Sequence, residues 1–312
     1  MIIGFDIGGT NVRGVAMRPG SAEIECIRRA KTNPGGEAIV DTITEIAGQL
    51  AADVGEPIAA VGIGIAALID ADGTLRYAPN IARVVDYPLV PRVQAKLAVP
   101  VVADNDATTA TWAEARFGAG RGCDDMAFVA LGTGIGTGFV LGGRLHRGAH
   151  GYAGESGHIT MQKDGPAHIT GAAGPWEYFA SGTALGRVAR TWAGEGRLDA
   201  LVHRAGSVDG VKGEHIHELL LEGDPGVGEL VERFAQDVAM GLADLVYILD
   251  PALIVIGGGL VELGEPLRHA VESALAARIL GAPHRPQVPV RLAELGTLAG
   301  AIGAGALAAE AS

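Results

Sequence analysis

The stretch IIGFDIGGTNVRGVAM, residues 2–17, decides how the rest of the chain is read. An apolar run at 2–7 stops at Gly8-Gly9, and a second run at 12–17 returns from the turn. That pattern predicts two antiparallel strands joined by glycines. MAFVALGTGIGTGFVL, residues 126–141, repeats the plan: an apolar run at 126–131, a glycine-rich turn, and a returning run at 138–142. The echo predicts two related halves, although the two sequences differ too much to prove a duplication.

Around these hairpins, strand-like and helix-like segments alternate. Ile39, Ile43, Ile46, Leu50 and Val54 recur at three- to four-residue spacing, which marks one apolar helix face. Strands are expected at 58–65 (IAAVGIGI) and 99–103 (VPVVA). The latter leads into Asp104-Asn105-Asp106 and a helix that runs to about Phe117 and stops at Gly118. Leu230, Phe234, Val238, Leu242 and Val246 mark a long helix ending at Asp250-Pro251, and the apolar run LIVIGGG (253–259) follows at once. The fold class read from this alternation is α/β. A length of 312 residues favours two domains, each large enough for its own core.

Composition narrows the function. Hydrophobic residues at 48% and charged residues at 19% mark a folded, soluble chain. A formal net charge of −12 argues against nucleic acid or an anionic membrane as the main partner. Cys26 and Cys123, the two cysteines, make no disulfide framework and point to a reducing cytosol. MIIGFDIGGT carries neither a basic leader nor a long apolar run, so no signal peptide or membrane span is expected. The 48 glycines are about twice the usual share of about 7% and cluster at the ends of apolar runs. They read as positioned turns.

Three of those turns each follow an apolar run: DIGGTN (6–11), LGTGIGTG (131–138) and GGG (257–259). Glycine lets backbone N–H groups approach an anion, and Thr10 and Thr133 add hydroxyl donors. Any single turn is most simply a tight bend; three together, one flanked by Asp6, point to phosphate. The usual nucleotide signatures fail. No Gly-Lys pair occurs, so there is no P-loop, and Gly132, Gly134 and Thr137 miss the third glycine of a dinucleotide fingerprint.

MIIGFDIGGTNVRG, VVADNDATTATWAEARFGAG, LGTGIGTG, GESGH and IVIGGG, in this order and spacing, resemble the bacterial ROK family of repressors, uncharacterised frames and sugar kinases. Among these, the chain is most similar to actinobacterial-type glucokinases. The resemblance runs from Met1 to about Ala309. It implies an actin-like ATPase (ribonuclease H-like) fold of two α/β domains with a cleft between them. The smaller domain would span 1–117 with a C-terminal helix at about 297–312, and the larger 118–296. ROK repressors carry a helix-turn-helix ahead of DIGGT, whereas here the first strand is expected at residue 2, so the expectation is a kinase.

The resemblance also implies site roles. Asp106 would be the base for the 6-hydroxyl of D-glucose, with Asn105 on a neighbouring hydroxyl and Asp104 free to cap the helix. Asp6 would hold Mg²⁺ through water. ATP would lie on Gly8, Gly9, Thr10, Asn11, Gly132, Thr133, Gly134, Gly136, Gly257, Gly258 and Gly259. Glu155, His158, Glu177 and Ala67 would line the sugar. His215 and His217 are expected on a solvated helix and not on a metal. A cytoplasmic homodimer or homotetramer is implied. Other hexoses, an N-acetylhexosamine or a C7-cyclitol stay open as acceptors, polyphosphate as donor, and a non-catalytic sugar sensor as a further alternative.

Three departures stand out. The family holds zinc with one histidine and three cysteines, but here His168, Thr170 and Pro175 occupy the cysteine positions while Glu177 remains. No zinc is therefore expected, with the 158–177 loop held by Pro166, Pro175 and packing of Trp176. The imidazole nitrogen of His158 released from metal should then turn to His168 or Thr170. A glycine common near the sugar is Ala67, which leaves the exact sugar open. The position after GGT, often lysine, is Asn11, and this third departure looks harmless.

Overall fold

The computed structural model describes residues 1–168 and 171–312. They divide into two compact units. Unit 1 comprises Met1–Met126, Gly138–Gly154 and Glu294–Ser312, and unit 2 comprises Ala127–Thr137 and Glu155–Ala293. The first break falls at 126, beyond the 117 expected, and unit 1 also takes in 138–154.

The first part of the chain forms β1 (Ile2–Ile7), β2 (Asn11–Met17), β3 (Ile24–Lys31), α1 (Gly36–Val54) and β4 (Ala60–Ile65). A small antiparallel sheet follows, made of β5 (Leu68–Ile69), β6 (Leu75–Tyr77) and β7 (Val85–Tyr87). Then come α2 (Leu89–Leu97), β8 (Val101–Asn105) and α3 (Asp106–Phe117), which Gly118 ends as the spacing predicted. The central sheet of unit 1 is ordered β3-β2-β1-β4-β8. β1 and β2 pair antiparallel as the opening hairpin, while β1, β4 and β8 run parallel.

The chain continues through β9 (Met126–Leu131), β10 (Ile135–Leu141) and β11 (Arg144–His146). Helices α4 (Trp176–Ala180), α5 (Gly182–Gly194), α6 (Asp199–Ala205), α7 (Gly213–Leu221) and α8 (Pro225–Leu249) follow. The last elements are β12 (Leu253–Gly257), α9 (Gly264–Arg278), β13 (Val290–Leu292) and α10 (Ala299–Ala311). The second large sheet is ordered β11-β10-β9-β12-β13. Counted along each half, both sheets run third, second, first, fourth, fifth. The echo between residues 2–17 and 126–141 is thus a repeat of topology.

Alternation along β1 builds two cores. Ile3, Phe5 and Ile7 join Ile39, Ile43, Ile46 and Leu50 of α1 on one face. Ile2 joins Val15, Met17, Ala113 and Ile302 on the other. Burying each such side chain contributes about 1.5–3 kcal/mol. The second face is unusual because α10, rich in Gly and Ala, lies on the sheet backbone. A Cβ built on Gly4 would fall 1.9 Å from Ala301 O, and one on Gly62 would fall 1.8 Å from Ala304 O. Asp6 follows Gly4 on this face, and a Cβ on Gly300 would lie 3.1 Å from its Cγ. The close approach of α10 therefore buries Asp6 at the carboxyl end of β1.

Two buried polar groups fasten these layers. Glu114, fully buried on α3, accepts from Ala119 N, Glu294 N and Leu295 N at 2.9, 3.1 and 2.8 Å. In unit 2, the fully buried Trp176 donates through Nε1 to Asp237 O at 3.1 Å. The α8 helix carrying Asp237 buries Leu230, Phe234, Val238, Leu242 and Val246, and Asp224 caps it with Pro225 in its first turn. His215 accepts from Lys212 N at the start of α7, so it serves as a helix cap there. Both His215 and His217 are half-buried, less solvated than expected. Among the described residues no helix is long and apolar enough to cross a membrane.

Candidate active site

The residues singled out by sequence fall into two groups, one in each unit. In unit 1 they gather at the carboxyl ends of the parallel strands, where open α/β sheets bind ligands. Register places Asp6 beside Gly64, and Gly64 beside Asp104. The turn after β1 is closed by Gly8 N donating to Asn11 O at 3.0 Å, and Thr32 Oγ1 donates to Gly8 O at 2.7 Å. Gly9, Thr10 and Asn11 are exposed. Gly8 has nothing nearer than 3.9 Å to a built Cβ, so packing does not demand glycine there. The bare position leaves backbone open to a ligand.

Asp106 opens α3. Burial raises its pKa, while hydrogen bonds from Ala107 N and Asn105 oppose the rise. A carboxylate raised in this way suits a general base. Asp6 is raised from 3.8 to about 6, first by burial and next by the negative charge of Asp106; Arg13 opposes both. Arg13 Nη1 donates to Asp6 Oδ2 at 3.2 Å and to Thr297 O at 2.9 Å. Sequence reading missed Arg13, yet a signal was present. It is the residue directly across the hairpin from Asp6.

Asp104 is not the helix cap. Asn105 is, its Oδ1 accepting from Ala107 N at 2.9 Å and Thr108 N at 3.2 Å. A cap must immediately precede the first helical residue, and Asp104 is one residue too early, still within the strand. Its Oδ2 instead accepts from Arg147 Nε at 2.6 Å, and Oδ1 from Asn105 N at 2.9 Å. Burial raises the Asp104 pKa against the pull of Arg147. Asn105 also donates through Nδ2 to Ala67 O at 3.4 Å, and Ala67 is buried.

In unit 2 the second glycine turn and the 154–177 loop come together. Gly132, Thr133 and Gly134 form the turn, and Gly136 lies on β10. Gly132, like Gly8, has an open Cβ direction. Gly134 does not: a Cβ there would sit 2.0 Å from Glu177 Oε2. That oxygen accepts from Ile135 N at 2.7 Å. Gly257 ends β12, and Gly258 has a φ of 81° with a Cβ direction only 2.5 Å from Leu131 O, so the fold itself requires glycine. Gly259 has open space.

Glu155 precedes a short 3-10 turn that His158 ends, with His158 Nε2 3.6 Å from Glu155 Oε2. Among the described residues, His158 Nδ1 is buried without a hydrogen-bond partner, a state that costs about 1–3 kcal/mol. His168, expected to meet it, pairs instead with Glu177, Nε2 to Oε1 at 3.0 Å. The reason is charge: a carboxylate is a stronger acceptor than an imidazole. The two rings stand 6.0 Å apart at their centroids. Thr170, the other expected partner, lies outside the described residues.

The donors of His158, His168 and Glu177 lie within 4.8 Å of one another. That is three donors, none a thiolate, where a structural zinc takes four, mostly thiolates in this family. Pro175 offers no side-chain donor and caps α4, and neither Cys26 nor Cys123 is a member of the cluster. The residues do not fit the family's zinc.

Known proteins share this architecture. The chain is 38% identical to a glucokinase of Streptomyces coelicolor, covering 99% of this chain and 98% of that one. It is 31% identical to a glucokinase of Thermotoga maritima, covering 90% of each. The structure of a ROK family glucokinase from Streptomyces griseus, in complex with glucose and AMPPNP, superposes with a TM-score of 0.88. It is 37% identical and covers 99% of both chains. The fold is thus the actin-like ATPase fold of ROK sugar kinases. The ROK family's sequence model matches residues 2–311, and the chain belongs to the ROK family.

Proposed function

We propose that the protein is an ATP-dependent sugar kinase that transfers the γ-phosphoryl group to the 6-hydroxyl of D-glucose. The observation that carries the reading is the Asp106 carboxylate, raised by burial at the start of α3 beside Asn105, in a chain that has three glycine turns and is 38% identical to a glucokinase. Phosphoryl transfer rests mainly on positioning and charge stabilisation, with a carboxylate accepting the hydroxyl proton. Asp106 takes that proton, Asn105 Nδ2 holds a neighbouring hydroxyl, and Glu155, His158 and Glu177 bind the sugar with Ala67 beside them. The bare backbone at Gly8–Asn11 and Gly132–Gly136, with Gly257–Gly259, receives the nucleotide.

Mg²⁺, when bound, neutralises the charge developing between the phosphates. Asp6 is the carboxylate suited to hold it through water, because a cation relieves the burial and like charge that raise its pKa. Zinc has no part in this reading. The protein acts in the cytoplasm as a homodimer or homotetramer, without nucleic acid or membrane as partner.

One observation favours a second acceptor. Ala67, buried against Asn105, puts a methyl group where relatives commonly carry glycine, so a glucose-like sugar of slightly different outline is the alternative. Coupled ADP release across glucose, mannose, N-acetylhexosamines and a C7-cyclitol, with polyphosphate as a second donor, tests both. Turnover of none of them with ATP refutes the kinase reading.

A further inference from the structure

Glu177 is anchored at both carboxylate oxygens by groups from separate parts of unit 2. Oε2 accepts from the backbone of Ile135, the first residue of β10, at 2.7 Å. Oε1 lies 3.0 Å from Nε2 of His168 in the loop. Both side chains are largely withdrawn from water, 16% exposed for His168 and 20% for Glu177. The glutamate backbone is fixed in the first turn of α4, whose preceding residues Pro175 and neighbouring Trp176 are buried. A glutamate held only at its Cα samples several rotamers. One held at both oxygens has a single orientation, and each oxygen keeps a second lone pair for a ligand.

At 3.0 Å, His168 Nε2 and Glu177 Oε1 stand within hydrogen-bonding distance of each other.

We propose that His168 is a positioning residue for the sugar site, resting on the kinase reading above. Its Nε2–H fixes the Glu177 carboxylate against the Ile135 amide, so that an imidazole–carboxylate clamp orients the sugar ligand without any metal. The residue at a position where relatives supply a zinc thiolate has been turned to a different task in the same loop. Ile135 N still holds Oε2 of Glu177 when His168 is replaced, so loss of the clamp should disturb the acceptor more than the donor.

The test measures zinc in the purified wild-type protein and compares it kinetically with His168→Phe and His168→Gln. Glutamine keeps an N–H donor, and phenylalanine keeps ring volume alone. The expected result is substoichiometric zinc and activity indifferent to a zinc chelator once Mg²⁺ is restored. His168→Phe should raise the sugar KM about 10- to 100-fold, with the ATP KM within about twofold and a melting temperature near wild type. His168→Gln should recover most of the sugar KM. One zinc per chain overturns the proposal, as does an unchanged sugar KM in His168→Phe. So does a parallel loss of sugar KM, ATP KM and melting temperature, which marks a role in folding alone. The zinc measurement decides even if the phenylalanine variant does not fold. A wild-type protein that phosphorylates no sugar refutes the kinase reading and the clamp with it, whereas an active wild type with an indifferent His168→Phe refutes the clamp alone.

Discussion

Asp6 links stability to the proposed metal site, and replacing it with asparagine should separate the two. The folded protein holds the Asp6 proton more tightly than the unfolded chain, with a pKa of about 6 against 3.8. The stability contributed by this group is therefore complete below pH 3.8 and is lost as pH rises through about 6. At about 1.4 kcal/mol for each pH unit, the ionised carboxylate costs the fold up to about 3 kcal/mol at neutral pH. Asparagine has the same size, stays neutral, and still offers Arg13 an acceptor. The Asp6→Asn variant should match wild type near pH 4 and gain 1–3 kcal/mol, on the order of 2–6 °C, by pH 7.5. Thermal melts of both proteins across that range read the difference directly. Taking the difference matters, because burial also raises Asp104 and Asp106 and both shape the wild-type curve. Turnover should meanwhile collapse, since the group proposed to hold Mg²⁺ is gone. A variant no more stable than wild type at pH 7.5, or one offset equally at both ends, refutes the reasoning.

Three further outcomes follow from single contacts. Asp106→Asn should lower turnover by roughly 10²–10⁴-fold while calorimetry still detects sugar binding, and the acid limb of the wild-type kcat/KM profile should lie above the ordinary aspartate range. Near-normal turnover in that variant removes the proposed base. Glu114→Ala leaves three backbone amides without their buried carboxylate and should destabilise by roughly 3–5 kcal/mol in denaturant unfolding; a loss under about 1 kcal/mol contradicts it. Gly134→Ala drives a methyl into Glu177 and should raise the KM for both sugar and ATP, whereas Gly132→Ala, with open space, should affect ATP alone.

What the sequence showed, and what it concealed, follows from how far apart the interacting residues lie. The hairpins were legible because a glycine turn between two apolar runs is local, and so was the α1 face, whose Ile39, Ile43, Ile46 and Leu50 are all buried. The Asp6–Arg13 pair could be counted outward from its turn. Nothing local announces Arg147 as the partner of Asp104, 43 residues before it. The cap at Asn105 was mistaken for Asp104 because both residue types favour the position and only the strand end decides between them. Periodicity is also blind to α10. AGAIGAGALAAEA has no apolar stripe, since its role is to bring backbone against backbone, with Gly303 within 1.7 Å, at a built Cβ, of Thr109 O. Once that packing is known, much of the glycine content ceases to be a turn signal at all.

Within unit 2 the same accounting shows why the loop and the turn cannot be treated as separate sites. Glu177 accepts from Ile135 N, Gly182 N donates to Gly132 O at 2.7 Å, and Thr183 Oγ1 donates to Thr133 O at 2.7 Å. Ser156, beside His158, shares a buried 3.0 Å hydrogen bond with Thr137 on β10. Four bonds from three parts of the 155–183 segment thus converge on the turn and strand at 132–137. A group bonded to that turn should move donor and acceptor kinetics together, as Gly134→Ala does by displacing Glu177 from Ile135. His168, which meets Oε1 of Glu177 while Ile135 N holds Oε2, should move the acceptor more than the donor. The presence of both behaviours in neighbouring variants would separate orientation of one carboxylate from integrity of the whole assembly, a distinction that neither variant can make alone.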